Sequence, residues 1–524
     1  MLKLVRVLLL TLLISFLLLQ KDHELLQAAA WNNEPLLAFD HARQLLTGVP
    51  LGSMNLARIP SIFPDYLIAI ALAITGLSFQ WQYAIFVLIF AALQLYLSAG
   101  IICFLWQIRI EFGLIIAGLV SFGLAAASSD YSLNLQLSHL PLNHGGNVIM
   151  IMGFIWLMLA TFKQSISTKA ILTFPFLGLL AIAGLASLSN RLFVLQAVLP
   201  AIICYALDHQ YRRCFLLGLA SCLGCVASLF LLKVGCFPPV ANNLNLVVER
   251  LLGFGQVSLW PNFNVGLGFI FLFEIVFSGC ILSKPNKFNM SSNLMARFLA
   301  TSVVIIILPY LQYCLNQPGG IERYLYAPLF LAPVFIAQPI IAICRALRYV
   351  IKFQFIATAM LTLLALSFIQ SIGHQKLWLH EFLGWDNPGV YSIVKALPRG
   401  AAVLTPDGLE GRWHSRTLKA SADWQLWFSS ITGNGRANPW DQGKWEFREL
   451  FPKRKLRSYM AVLVPKAFRN SAIQWYGQPT RKVYLDHKGG SSLWIYDPPT
   501  NQRLLASIWA DFQLPFRPEC VSWR

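Results

Sequence analysis

Apolar runs long enough to cross a bilayer, or nearly so, recur from Leu4 to Ile372; a spanning helix needs about 20 such residues. The pattern predicts spans near 4–19, 83–105, 112–128, 148–163, 170–188, 192–207, 215–233, 259–283, 296–315, 324–344 and 353–371. One further run, Asp65 to Phe79, is ambiguous: it is short, opens on Pro64-Asp65 and carries Gly76 near its end. After residue 372 the rhythm changes. Ala402 to Leu404, Met460 to Val464, Val483 to Leu485 and Leu493 to Tyr496 are strand-length runs separated by polar connections with Pro and Gly. Asn387-Pro388 opens a helix running to Ala396, with proline early in its first turn. The expected fold is an α-helical polytopic membrane protein of about 11 transmembrane helices over residues 1–372. An extracytoplasmic α/β domain follows over 373–524.

Composition removes the alternatives. With 56% hydrophobic and 12% charged residues and a mean hydropathy of +0.59, the chain has too little polar surface to cover a water-soluble particle. Disorder, collagen and coiled coil fail on the same count. Ten cysteines show no framework spacing, and most sit in apolar runs as small hydrophobes. Cys222 and Cys225 have redox spacing but lie in a span without ligand partners.

The net charge of +18 is read by side of the membrane, not as nucleic-acid affinity. If the run at Asp65 does not cross and the amino terminus is cytoplasmic, 13 basic residues before the tail fall inside and 7 outside. If it does cross, 6 fall inside and 14 outside. Basic loops resist translocation, so the run is expected to lie in the outer interface, or to dip in and return. Eleven crossings of the cell membrane then put the carboxy-terminal tail outside. A cleaved leader ending near Ala28-Ala29-Ala30 is disfavoured, because Lys21-Asp22-His23-Glu24 separates that site from the apolar core. The tail holds 21 basic and 12 acidic residues and 11 of the 16 tryptophans, read mainly as core and interface packing. No internal repeat is visible, which weighs against an inverted-repeat transporter.

On this topology the outer first loop, 20–82, carries Glu34, Asp40, His41 and Asp65. Leu36 to Thr47 reads as a short helix that Asn33 can cap and Gly48 stops. Glu34 and Asp40 stand about 240° apart around it, so they cannot form a paired-carboxylate site alone. The plainer reading is an interfacial helix whose Glu34 complements the dipole. His41, His139 and His144 have no metal-ligand spacing and read as loop histidines. Gly145-Gly146 is too short a signal for phosphate binding. Glu274, in mid-span, is either functional or a protonated structural carboxyl.

The first outer loop also resembles that of the GT-C membrane glycosyltransferases, which include the bacterial aminoarabinose transferases and protein mannosyltransferases. The resemblance rests on Asn33-Glu34-Pro35, then Asp40-His-Ala42 through Gly48-Val-Pro50. Gly184-Leu-Ala-Ser-Leu-Ser-Asn-Arg191 and Arg323-Tyr324-Leu-Tyr-Ala-Pro328 are weaker echoes. Asn33 falls where the family has Asp, so Glu34 or Asp40 would have to serve as its acidic catalytic group. The resemblance implies sugar transfer from a polyprenyl-phosphate donor to an extracytoplasmic glycolipid, glycan or protein. A carboxylate would deprotonate the acceptor and Arg191 or Arg323 would hold the donor phosphate. A divalent metal is left open. Two competing functions remain: a transporter or lipid flippase using Glu274, and a non-catalytic protein of envelope-polysaccharide assembly.

Overall fold

The computed structural model describes residues 2–21, 33–48, 61–142, 145–165, 173–234, 265–283, 291–302, 326–348, 353–372, 377–379, 388–399, 401–406, 415–422, 425–431, 460–485, 490–497, 500 and 504. Six helices among them are long and apolar enough to cross a membrane: Lys3–Gln20, Phe79–Trp106, Ile110–Ala127, Gly145–Phe162, Tyr211–Leu231 and Leu329–Leu347. The chain is therefore a helical, multi-pass membrane protein in its amino-terminal part, with a small sheet beyond it.

In chain order the helices are α1 Leu2–Gln20, α2 Asn33–Leu46, α3 Leu67–Ile74, α4 Phe79–Trp106, α5 Ile110–Ala127, α6 Ser129–Ser138, α7 Gly145–Ser165, α8 Phe174–Ser189, α9 Leu199–Leu207, α10 Tyr211–Val234 and α11 Val265–Ser283. Then come α12 at 291–302, α13 Tyr326–Arg348 and α14 Phe353–Ile372. Two expected spans are shorter or broken: 170–188 becomes the 16-residue α8, and 192–207 splits into a π segment, Val194–Val198, followed by α9. The expected span 353–371 is α14, while 259–283 and 296–315 are described only from Val265 and to residue 302.

Packing explains the two places where helix length departs from the hydropathy pattern. α4 begins at Phe79, four residues before the apolar run suggests, and at 28 residues is about 42 Å long against a hydrocarbon thickness of about 30 Å. Its early turns are held by α2: Phe39 meets Phe79, Tyr83 and Phe86 edge-on at 5.3–5.6 Å between centroids. The ambiguous run forms a π segment, Ile62–Tyr66, and the eight-residue α3. Thirteen helical residues cover about 20 Å, too little to cross. Both ends of this piece lie at the same end of the bundle. Ser61 donates its N–H to the Ser189 carbonyl at the close of α8, and α3 leads into the Phe79 end of α4.

Tight contacts fix the bundle. Gly224 of α10 lies against the Gly184 carbonyl of α8, and the Ser187 and Ser221 hydroxyls share a 2.8 Å hydrogen bond beside it. Small residues allow this approach. Phe162 stacks on Tyr205 at the far end. At that end Arg297 pairs with Asp208 at 3.0 Å, and Arg345 donates to the Trp106 carbonyl.

The tail contains α15 Pro388–Ala396, β1 Ala402–Pro406, α16 Ser415–Ser421, β2 Trp427–Ile431, β3 Met460–Pro465, α17 Arg469–Tyr476, β4 Arg481–Tyr484 and β5 Ser491–Tyr496. All four strand-length runs of the sequence are strands, and β2 adds a fifth. The sheet order is β2-β1-β3-β5-β4. β1 runs parallel to β2 and β3, and β5 is antiparallel to both β3 and β4. α15 and α16 cover one face through Val390, Ile393, Leu418 and Ala422, packed on Val403, Phe428, Ala461 and Leu463.

Candidate functional site

One set of buried polar groups, Asp40, His41, Asp65 and Lys419, lies where α2, the Asp65 segment, the start of α7 and the tail meet. α2 is the helix expected from the sequence, stopped at Gly48, whose φ of +83° suits glycine. Its buried positions include polar ones: Asp40 and His41 lie beside Leu37, Ala38 and Phe39. Glu34 sits in the first turn of α2, its side chain outside the described set.

Asp40 is committed. Lys419 of α16 places its ammonium 2.8 Å from Oδ1 and 3.0 Å from Oδ2. α16 is two-faced: Leu418, with Ala422 just past its end, belongs to the tail's own core, while Ala420 enters the cluster of Leu36, Phe39, Tyr66 and Tyr83. The tail is thereby seated on α2. A second seat lies nearby, where Trp378 donates its backbone N–H to Gln20 Oε1 at 2.8 Å and packs its ring on Phe16. His41 shares a 2.8 Å hydrogen bond between Nδ1 and the Tyr66 hydroxyl, with the two rings stacked.

Asp65, next in sequence to Tyr66, is 2% exposed. Its Oδ1 accepts the Leu142 N–H at 2.9 Å, and its Oδ2 lies against Gly146 at the start of α7. A Cβ at Gly146 would collide with that carboxyl, and one at Gly145 with the Ser138 carbonyl. The two glycines are there for close approach, not as a phosphate loop. Burial pushes the Asp65 carboxyl up to about 7, opposed by hydrogen bonds from the Leu142 and Asp65 backbone. The segment carrying Asp65 is also tied to α8, since Phe63 donates its N–H to Ser189 Oγ at 2.8 Å. Two residues beyond Ser189 stands Arg191, exposed. Asn147 of α7 donates to Gln196 at 2.6 Å, binding the π segment into the same layer.

The expected partners are therefore sorted differently from the sequence reading. Asp40 and His41 come together with Lys419 and Tyr66, while the segment carrying Asp65 is tied to the Arg191 end of α8. Arg323 and His144 lie outside the described residues. Glu274, in α11, is fully buried, and neither carboxyl oxygen has a hydrogen-bond partner among the described residues. Ser278, one turn on, is buried and unpartnered in the same sense. No group of three His, Cys, Asp or Glu side chains able to hold a metal occurs among the described residues.

Lys419 escaped sequence reasoning because a lysine in a short polar helix normally reads as solvated; its only signal is the flanking Leu418 and Ala420. Asp65 was visible as an acid beside an apolar run, but nothing in the sequence places it against Gly146. No family model, curated protein or solved structure matches the chain.

Proposed function

We propose that the chain is an integral membrane glycosyltransferase that moves a sugar from a polyprenyl-phosphate donor to an extracytoplasmic acceptor. One observation carries the reading: a buried carboxyl poised near neutrality, Asp65, is fastened to the α8 end bearing exposed Arg191, beneath a soluble domain seated on the first loop. Carboxyls with such values concentrate at functional sites. Asp65, 2% exposed and covered by the start of α7, takes the acceptor hydroxyl's proton once acceptor binding uncovers its carboxyl, as that oxygen bonds to the anomeric carbon. The bond from that carbon to the phosphate oxygen breaks, and Arg191 stabilises the departing polyprenyl phosphate. Asp40, neutralised by Lys419, acts as a structural pin; Glu34 remains the second carboxylate of the loop.

The topology proposed with it is eleven crossings of the cell membrane, amino terminus inside and tail outside. Its support is the sorting of charge. Arg109, Arg297 and Arg345 stand at the bundle end opposite Asp40, Asp65 and the tail, as basic residues kept in the cytoplasm would.

The test is transfer by full-length protein in nanodiscs, with polyprenyl-phosphate sugars as donors. Asp65→Asn and Arg191→Gln should each lower turnover at least tenfold while leaving the fold intact. Wild-type turnover in both variants would remove the assignment, and a tail tag reached only from the cytosol would remove the topology.

A second reading, transport or lipid flipping, is favoured by the carboxyl of Glu274, buried with no hydrogen-bond partner among the described residues. It predicts translocation that is lost in Glu274→Gln and retained in Asp65→Asn.

A further inference from the structure

A niche opens inside the bundle between α1, α4, α5, α7, α13 and the turn after α6, independent of the proposed transfer site. Gln94, Ser98, Ser121 and His139 supply its polar lining and Pro333 closes one side. Its room of about 20 Å³ suits one or two water molecules and excludes a sugar or a lipid head group.

The hydrogen-bond valences facing it are few. Gln94 is partly engaged: its Nε2 donates to the Ser138 carbonyl at 2.8 Å and its Oε1 lies 3.0 Å from the Ser138 hydroxyl, which also reaches the Leu135 carbonyl, so one amide N–H and one lone pair are left over. Ser98 Oγ and His139 Nδ1 are buried without a partner among the described residues, at 5% and 1% residue exposure. Pro333, which has no N–H to give the helix ladder, lines the niche on the α13 side. Leaving the Ser98 and His139 atoms dry is costly, and buried polar groups are normally satisfied.

The chemistry selects the occupant. Among the described residues no carboxylate lines the niche to attract a cation, and no lysine or arginine lines it to attract an anion. Burial holds the His139 imidazole neutral, pushing its pKa down to about 3. What remains is a neutral ligand that both donates and accepts. We propose that the niche is a built water site, whose one or two ordered molecules bridge Ser98 of α4 to His139 and knit α13 to the bundle at its proline.

The test uses the full chain in nanodiscs with ¹⁵N-labelled histidine, the His139 signals assigned by their disappearance in His139→Gln. Bound water predicts an Nδ1 resonance of a hydrogen-bonded nitrogen, which moves in Ser98→Ala. An experimental density map that resolves ordered solvent should show one or two peaks within hydrogen-bond reach of both groups. An Nδ1 resonance of a free nitrogen, one unmoved by Ser98→Ala, or a dry or side-chain-filled niche in the map would each overturn the proposal.

Discussion

Lys419 and Asp40, 379 residues apart, form an ion pair with both carboxylate oxygens engaged and side chains only 5% and 9% exposed. A pair so buried pays desolvation on both partners, so its value lies in what happens when one is removed. Lys419→Met should leave Asp40 charged and dry, and cost about 3–5 kcal/mol of tail docking. Asp40→Leu combined with Lys419→Met should recover most of that, because the surrounding cluster of Leu36, Phe39 and Ala420 is apolar. The measurement is protease release of the tail from the membrane part. Equal release in single and double variants would show that the pair holds nothing.

Close approach at Asp65 gives a second expectation. Gly146→Ala puts a methyl where Oδ2 lies, and that carboxyl cannot swing freely while Leu142 holds Oδ1. The cost should be about 1–3 kcal/mol, the usual range for overpacking. Gly123 of α5 is the control: nothing lies within 4 Å of a Cβ there, so Gly123→Ala should be neutral or stabilise by about 0.5–1 kcal/mol. Thermal unfolding in detergent distinguishes them, and the prediction fails if both variants melt alike.

The α8–α10 contact offers a third. Gly224→Ala drives a methyl into the Gly184 carbonyl, a backbone atom that cannot rotate away, beside the Ser187–Ser221 hydrogen bond. The helices must separate, at a cost of about 1–3 kcal/mol. A cysteine pair across this contact should crosslink more slowly in the variant than in the parent protein.

Hydropathy alone made the long helices legible, because length and apolarity of α1, α4, α5 and α7 are local properties of the sequence. The stop of α2 at Gly48 and the start of α15 at Pro388 were legible for the same reason: caps and prolines act on their own backbone. The charge count argues against a crossing at 62–74, and the helical piece formed there is too short to span. The early start of α4 was not legible, since Phe79 is held by Phe39 across a tertiary contact. The site was hardest. Which carboxylate meets Lys419 and which meets Gly146 depends on how α16 and the Asp65 segment fold back. No spacing rule reaches across 379 residues.

The remaining prediction concerns pH, where two buried groups oppose each other. Asp65 is raised in the folded protein from 3.8 to about 7, so its contribution to stability is full below about 4 and is lost as pH climbs to 7. His139 is lowered from 6.5 to about 3, so its contribution is full above about 6.5 and is lost as pH falls toward 3. Between about 4 and 6.5 each changes stability by up to about 1.4 kcal/mol per pH unit, with opposite sign, and the two cancel in the parent protein. Removing one should expose the other. Relative to the parent, Asp65→Asn should become progressively more stable as pH rises from 4 to 7, and His139→Gln progressively less stable over 4 to 6.5. Melting temperatures taken at half-unit steps supply the differences, and parallel curves for parent and both variants would show that neither group titrates out of step with the unfolded chain.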